Sequence, residues 1–270
     1  MTMDASARRT FLDQYSIIRH AEGRGSGDSG YYRALPWRDL SGKNTAQWKI
    51  RACSYRHFER TILRDIERAH RRPLRILDLG AGNGWMSNRL RQRGHHPVAT
   101  DIFTDPLDGL GTLHHYELRP DGVVAEFDSL PFRDGSIDVA IFNSSLHYSS
   151  DYRQTLSGVR RCLSASGCVV VIDSPVYAQP GHGEQMRAER QTAFVQKYGF
   201  RSESLGSIEY LDEPLLASLS HELGIEWQRS YPWYGWRWAL RPWQARRAGR
   251  RPPSRFFILC GRFRNSGVSA

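Results

Sequence analysis

The segment Asp78-Leu79-Gly80-Ala81-Gly82-Asn83-Gly84-Trp85 carries the residue types and spacing most suited to a chemical site. Glycines at alternate positions let the main chain turn tightly and approach a ligand closely. A loop of this kind opens a helix, whose first N–H groups are unbonded and can receive polar ligand atoms. The aspartate narrows the ligand. Its carboxylate repels a pyrophosphate, and G-x-G-x-G with no following lysine matches neither the dinucleotide fingerprint nor the P-loop. A ligand carrying an ammonium and a sulfonium suits it better. Strand, turn and helix with no ligand is the alternative.

The elements that must position these residues follow in order along the chain. Ile76, Leu77 and Leu79 read as a short buried strand running into the glycine loop. Residues 95–102 read as a second strand ending in Asp101, with Ile102 next to it. In an open α/β sheet an acid there can accept from both hydroxyls of a ribose, a helix cap or turn being the alternative. Residues 123–143 are the third piece of the pattern, within which 138–143 reads as the fourth strand. Asn143 lies at the carboxyl end of the fourth, where such sheets bind ligands. Ser144, Ser145 and His147 follow directly. Residues 152–163 have helical spacing and stop at Gly167. Residues 168–173 form a continuous β-branched run, as in a strand covered on both faces. A helix over 211–223 and strands over 225–231 and 256–263 complete the order, and a long helix over 45–70 precedes the first strand.

The order and spacing of the glycine loop, Asp101 and the stretch 123–143 resemble the class I S-adenosylmethionine (SAM)-dependent methyltransferases. The likeness is to the branch of ubiquinone and menaquinone C-methyltransferases and covers residues 74–173. The resemblance implies a Rossmann-like, doubly wound α/β sheet of seven strands. That sheet is mostly parallel, with an antiparallel last strand and helices on both faces. It implies SAM as cofactor, held by Asp78, Gly80, Ala81, Gly82, Asn83, Gly84, Trp85, Asp101, Ile102, Glu126, Phe127 and Asn143. Glu126 stands where the family has an aspartate facing the adenine amino group, with Asp128 as its competitor. Phe127 supplies the neighbouring N–H. His147 and Tyr177 are the candidate general bases, and packing against the cofactor is the other reading for His147. The implied reaction is methyl transfer to a small-molecule acceptor, aromatic or lipid-like. An RNA methyltransferase, or a SAM-binding protein that does not methylate, is the alternative.

Composition fits one globular unit: 270 residues, 40% of them hydrophobic, bury a sizeable core. Residues 1–44 read as an N-terminal segment capping the cofactor. Residues 45–270 read as the SAM-binding domain, with insertions at 174–209 and 232–254. Cys53, Cys162, Cys168 and Cys260 are scattered without metal-ligand spacing, so reduced thiols and no metal are expected, in a cytoplasmic protein. No leader or transmembrane run is apparent. The net charge of +10 is carried almost wholly by arginine, which fits either compositional bias or an acidic partner such as nucleic acid. Residues 231–251 interleave Trp and Arg, suiting an apolar ligand, peripheral membrane contact or an edge connection packed on the sheet. Trp48, Arg51 and Tyr55 share a helix face and serve either the pocket or the core.

Overall fold

A computed structural model describes residues 5–201 and 206–264; the parts of the expected segments that fall on residues 1–4, 202–205 and 265–270 lie outside the described residues. Before the sheet come helices α1 (Ala5–Ala21), α2 (Ser29–Ala34) and α3 (Thr45–Phe58). A π-helical turn (Glu59–Leu63) carries α3 into α4 (Arg64–His70). The expected helix over 45–70 is thus continuous but widened at its centre. It ends at Arg71 in the left-handed region, φ 52°.

The sheet then alternates with helices: β1 (Arg75–Leu79), α5 (Trp85–Gln92), β2 (His96–Asp101), β3 (Asp121–Val124), β4 (Ile137–Asn143), α6 (Tyr152–Cys162) and β5 (Leu163–Ile172). Beyond it lie β6 (Val176–Tyr177), α7 (Pro180–Tyr198), β7 (Leu211–Asp212), α8 (Glu213–Leu223), β8 (Ile225–Ser230), α9 (Trp236–Ala239), α10 (Arg241–Arg247) and β9 (Ile258–Phe263). The seven-stranded order is β3-β2-β1-β4-β5-β9-β8. β1 to β5 are parallel, and β9 runs antiparallel between β5 and β8. This is the Rossmann-like sheet expected from the sequence.

Period-two alternation divides the core between the two faces. Ile76, Val139, Ile141 and Val170 pack with Tyr55, Phe58, Trp85 and Leu90. Leu77, Leu79, Ala140, Phe142 and Val169 pack with Leu156, Val159 and Leu219. β4 is buried along its whole length, which is why its sequence is apolar without interruption. The order reverses between β1 and β4, so their carboxyl ends border the crevice where open α/β sheets bind ligands.

Several boundaries differ from the sequence reading. β3 ends at Val124, leaving Glu126 and Phe127 in a loop. The stop expected at 164–167 is instead an irregular stretch of β5, where the register to β4 shifts. Asp212 accepts from the Leu215 N–H, so the helix expected from 211 begins only at Glu213. α7, within the insertion at 174–209, opens at Pro180, a favoured first helical residue that needs no N–H partner.

Candidate active site

The glycine loop is tied to the end of β2. The N–H groups of Gly80 and Ala81 donate to the Thr100 carbonyl at 2.8 and 3.1 Å. Asp101 continues this tie, its Oδ2 accepting from the Gly82 N–H at 2.8 Å and its Oδ1 from the Phe103 N–H at 2.9 Å. A Cβ on Gly80 would collide with that of Ser145, and Gly80 has φ +70°. Close approach and backbone conformation both therefore require glycine there.

Around this loop lies a cavity of 450 Å³, within the range of cofactor pockets. Gly80, Ala81, Gly82, Asn83, Trp85, Asp101, Ile102, Glu126, Phe127 and Asn143 line it. So does Asp128, which accepts from the Thr155 hydroxyl at 2.7 Å. The Asn143 Oδ1 is a buried acceptor with no partner. A wall of carboxylates and an open amide acceptor fits a ligand rich in N–H and O–H donors and in positive charge.

Four of the sequence candidates lie elsewhere. Asp78 is buried behind the loop, not among the cavity residues. Strand alternation turns it, with Ile76, toward α5, where its Oδ2 accepts from the Ser87 hydroxyl at 2.7 Å. Burial raises its pKa to about 7, opposed by the Ser87 hydrogen bonds. Gly84 caps the start of α5 against Leu113, where a Cβ would clash, and also leaves the lining. His147 and Tyr177 both line a different cavity, of 330 Å³. The 3₁₀ turn at Leu146–Tyr148 carries His147 away from Ser145. Its carbonyl accepts from the Glu209 N–H, and its Nδ1 lies 3.4 Å from the Ser174 hydroxyl. Burial, then the charges of Arg190 and Arg51, depress its pKa to about 3, so the ring is neutral and weakly basic.

The structure also brings in residues that sequence reasoning did not select. Phe11, Tyr15 and Arg19 of α1 cover the glycine-loop cavity. Their i, i+4, i+8 spacing was the available signal. Tyr15 meets Phe103 edge-on at 5.0 Å, and Arg19 pairs with Asp108. Burial pushes the Tyr15 phenol far up, so it stays protonated. The shared face of α3 divides: Trp48 and Tyr55 are core, whereas Arg51 lines the cavity. Arg51 stacks on Trp48 at 5.1 Å and lies 3.5 Å from the Ser144 hydroxyl. Among the described residues no carboxylate comes within 4.0 Å of it. Burial, with Arg24 and Arg19 nearby, lowers its pKa to about 10, still cationic at neutral pH.

A third cavity, of 260 Å³, adjoins the first. Phe11, Tyr15, Arg19, Arg51, Ser144 and Tyr148 form the wall common to both. Gln14, Ile18, Arg24, Arg190, Phe194 and Glu209 line its far side. Among the described residues no cluster of His, Cys, Asp and Glu is arranged to hold a metal.

Residues 77–171 match the model of a methyltransferase domain. A malonyl-[acyl-carrier protein] O-methyltransferase of Erwinia billingiae is 31% identical over 96 residues, covering 36% of this chain and 37% of that protein. A demethylmenaquinone methyltransferase of Thermus thermophilus is 28% identical over 150 residues, 54% of this chain and 67% of that one. The chain spans 37% to 59% of the length of the malonyl-[acyl-carrier protein] O-methyltransferases it matches. In structure it is similar to the Burkholderia thailandensis 1,6-didemethyltoxoflavin-N1-methyltransferase, solved with 1,6-didemethyltoxoflavin and S-adenosylhomocysteine. That likeness has TM-score 0.53 and 15% identity, over 98% of this chain and 92% of that one. The fold is therefore that of this family, and the methyltransferase resemblance holds for residues 77–171.

Proposed function

We propose that this chain, which carries a methyltransferase domain over residues 77–171, transfers a methyl group from SAM to a small-molecule acceptor. The observation that carries the reading is the single cavity at the β1/β4 reversal, where the glycine loop, Asp101, Glu126 and Asn143 converge. Asp101 accepts from the ribose hydroxyls, Glu126 from the adenine amino group, and Phe127 covers the ring. Asp78 holds the loop from behind through Ser87. Arg51 pairs with the cofactor's carboxylate, since its guanidinium faces the cavity without an acid of its own. Residues up to 44 serve as the cap, with α1 closing the cofactor from solvent.

When bound, SAM supplies an electrophilic methyl group. The chain's own contribution is alignment: the acceptor occupies the cavity beyond Ser144 and Tyr148 and meets the methyl opposite the departing sulfur. Holding two reactants in line is worth effective molarities on the order of 10⁵ M. Tyr15, protonated and shared by both cavities, donates a hydrogen bond to the acceptor and is not a base. His147 and Tyr177 line the neighbouring cavity rather than this one, and the neutral, weakly basic His147 ring is a poor proton acceptor, so an acceptor that arrives deprotonated or as a neutral nucleophile suits the site.

Peripheral membrane contact belongs to the same reading. Trp233, Trp236 and Trp243 are 59%, 76% and 58% exposed. No Asp or Glu follows Glu226, while Arg237, Arg246, Arg247 and Arg250 are interleaved with these indoles in sequence, and Arg247 lies over the Trp243 ring at 5.3 Å. Exposed indoles among arginines suit an anionic bilayer surface. No helix of the described residues is long and apolar enough to cross a membrane. A reducing, cytoplasmic setting goes with the four free cysteines.

Calorimetry tests the core of the proposal. SAM and S-adenosylhomocysteine should bind and NAD should not. Absence of SAM binding, or equal binding of NAD, refutes it.

A further inference from the structure

The 330 Å³ cavity that holds His147 and Tyr177 is walled by three arginines from separate parts of the chain: Arg190 of α7, Arg241 of α10 and Arg251. Arg190 and Glu209 also line the 260 Å³ cavity beyond Ser144, so these two spaces share a wall. The charges do not cancel. Glu209 lies 3.6 Å from Arg190, and Glu189 accepts from Arg251 at 2.8 Å. Arg241 has no carboxylate within 4.0 Å among the described residues. It donates to the Ser254 carbonyl at 3.0 Å and lies flat on the Trp238 ring, 3.2 Å from its centroid. Its Nε is buried with no partner. A buried donor atom with its hydrogen bond unmade, on a half-exposed guanidinium, is a position a ligand acceptor can fill. Arg251 donates to the Tyr177 hydroxyl at 3.1 Å, which leaves that phenol oriented on the cavity rim.

We propose that this chamber binds an oxyanionic group of the methyl acceptor, a phosphate or carboxylate held by Arg241, Arg251 and Arg190. The acceptor is then an elongated anion. Its nucleophilic end lies by Ser144 and Arg51, and its anionic end lies at the Arg190–Glu209 pair that lines both spaces. Planar guanidinium groups grip both oxyanions through paired N–H donors. The neutral His147 ring offers one further N–H or lone pair without adding charge. This assignment rests on the methyltransferase reading for the other end of the acceptor, but the chamber's affinity for oxyanions does not.

The test uses the full chain saturated with S-adenosylhomocysteine, at constant ionic strength because a protein of net charge +10 attracts anions generally. Inorganic pyrophosphate, inorganic phosphate and succinate are titrated by calorimetry and by thermal shift. Pyrophosphate or phosphate binding ahead of succinate assigns a phosphate group; the reverse order assigns a carboxylate. Arg241→Met should weaken the preferred anion at least tenfold, leave S-adenosylhomocysteine affinity unchanged, and unfold at about the same temperature, since the half-exposed guanidinium has no carboxylate partner to lose. Arg251→Gln, which removes the charge and withdraws the donor group from the chamber, serves if Arg241→Met does not fold. Three results overturn the proposal: no anion binds, the variants bind anions as well as the parent, or the anions displace S-adenosylhomocysteine. Anion binding that depends on Arg241 in a chain that binds no S-adenosylhomocysteine would instead sink the methyltransferase reading and leave the chamber standing.

Discussion

Replacing Asp101 by Asn tests the proposed cofactor site where β2 is tied to the glycine loop. The carboxylate already accepts from the N–H groups of Gly82 and Phe103, one on each oxygen. Each oxygen keeps a lone pair for a ribose hydroxyl. An amide of the same shape retains one acceptor oxygen and presents an NH₂ in place of the other. One backbone N–H then faces a donor, costing about 1 kcal/mol of stability. Two charge-assisted bonds to the ribose are weakened or lost, which is about 2–3 kcal/mol of binding. That corresponds to roughly 30- to 150-fold in dissociation constant. Calorimetry with S-adenosylhomocysteine measures the loss. Repeating it with an analogue lacking both ribose hydroxyls isolates the cause, because there the substitution should cost little. An unchanged affinity would remove Asp101 from the site. An equal penalty for the analogue would show that Asp101 acts only by bracing Gly82.

Arg51→Met should weaken SAM binding by about tenfold or more, the loss of one charged hydrogen-bond partner, yet leave decarboxylated SAM almost unaffected; equal losses would move the carboxylate partner elsewhere. His147 should oppose acid. Its folded pKa, about 3, lies below the unfolded value, so folding excludes a proton that the unfolded chain takes up. Stability is thus lost as pH falls below about 6.5, by up to about 1.4 kcal/mol per pH unit. Denaturant melts of His147→Leu from pH 7 to 4 should lack that slope, and parallel curves would contradict the burial argument. Asp138, fully buried at the start of β4, accepts from Arg72 at 2.8 Å on each oxygen and from the Arg75 side chain and N–H. Burial alone would raise its pKa, but these bonds outweigh it and hold the carboxyl well below the usual range. Asp138→Asn should therefore cost about 2–3 kcal/mol at neutral pH, less than a wholly buried pair because both arginines reach solvent. The difference should fade as acid protonates the carboxylate below about pH 4. SAM affinity should not change, since Asp138 lies at the opposite end of β4 from Asn143.

Much of the fold was legible because its signals are local. A buried strand, a glycine turn and a helix start occupy ten consecutive residues from Arg75, and the apolar runs of β4 and β5 announce a sheet covered on both faces. Acids at strand ends were legible too, because in a parallel sheet those ends meet at one edge. Asp101 and Glu126 thus reach one cavity from residue order alone. What strand and turn propensities do not carry is which way a side chain faces once its element is packed. Asp78 belongs to the right motif but points under α5. His147 follows the right strand, yet a single 3₁₀ turn carries it into another cavity. Phe11, Tyr15 and Arg19 sit in a polar N-terminal helix whose role depends on where it docks. The arginine chamber joins residues 190, 241 and 251, which no local spacing connects. The sheet and the glycine loop follow from the chain's order alone, because both are written in consecutive residues. Only tertiary packing brings Arg190, Arg241 and Arg251 to one cavity, because they come from distant segments and share an environment only once those segments meet.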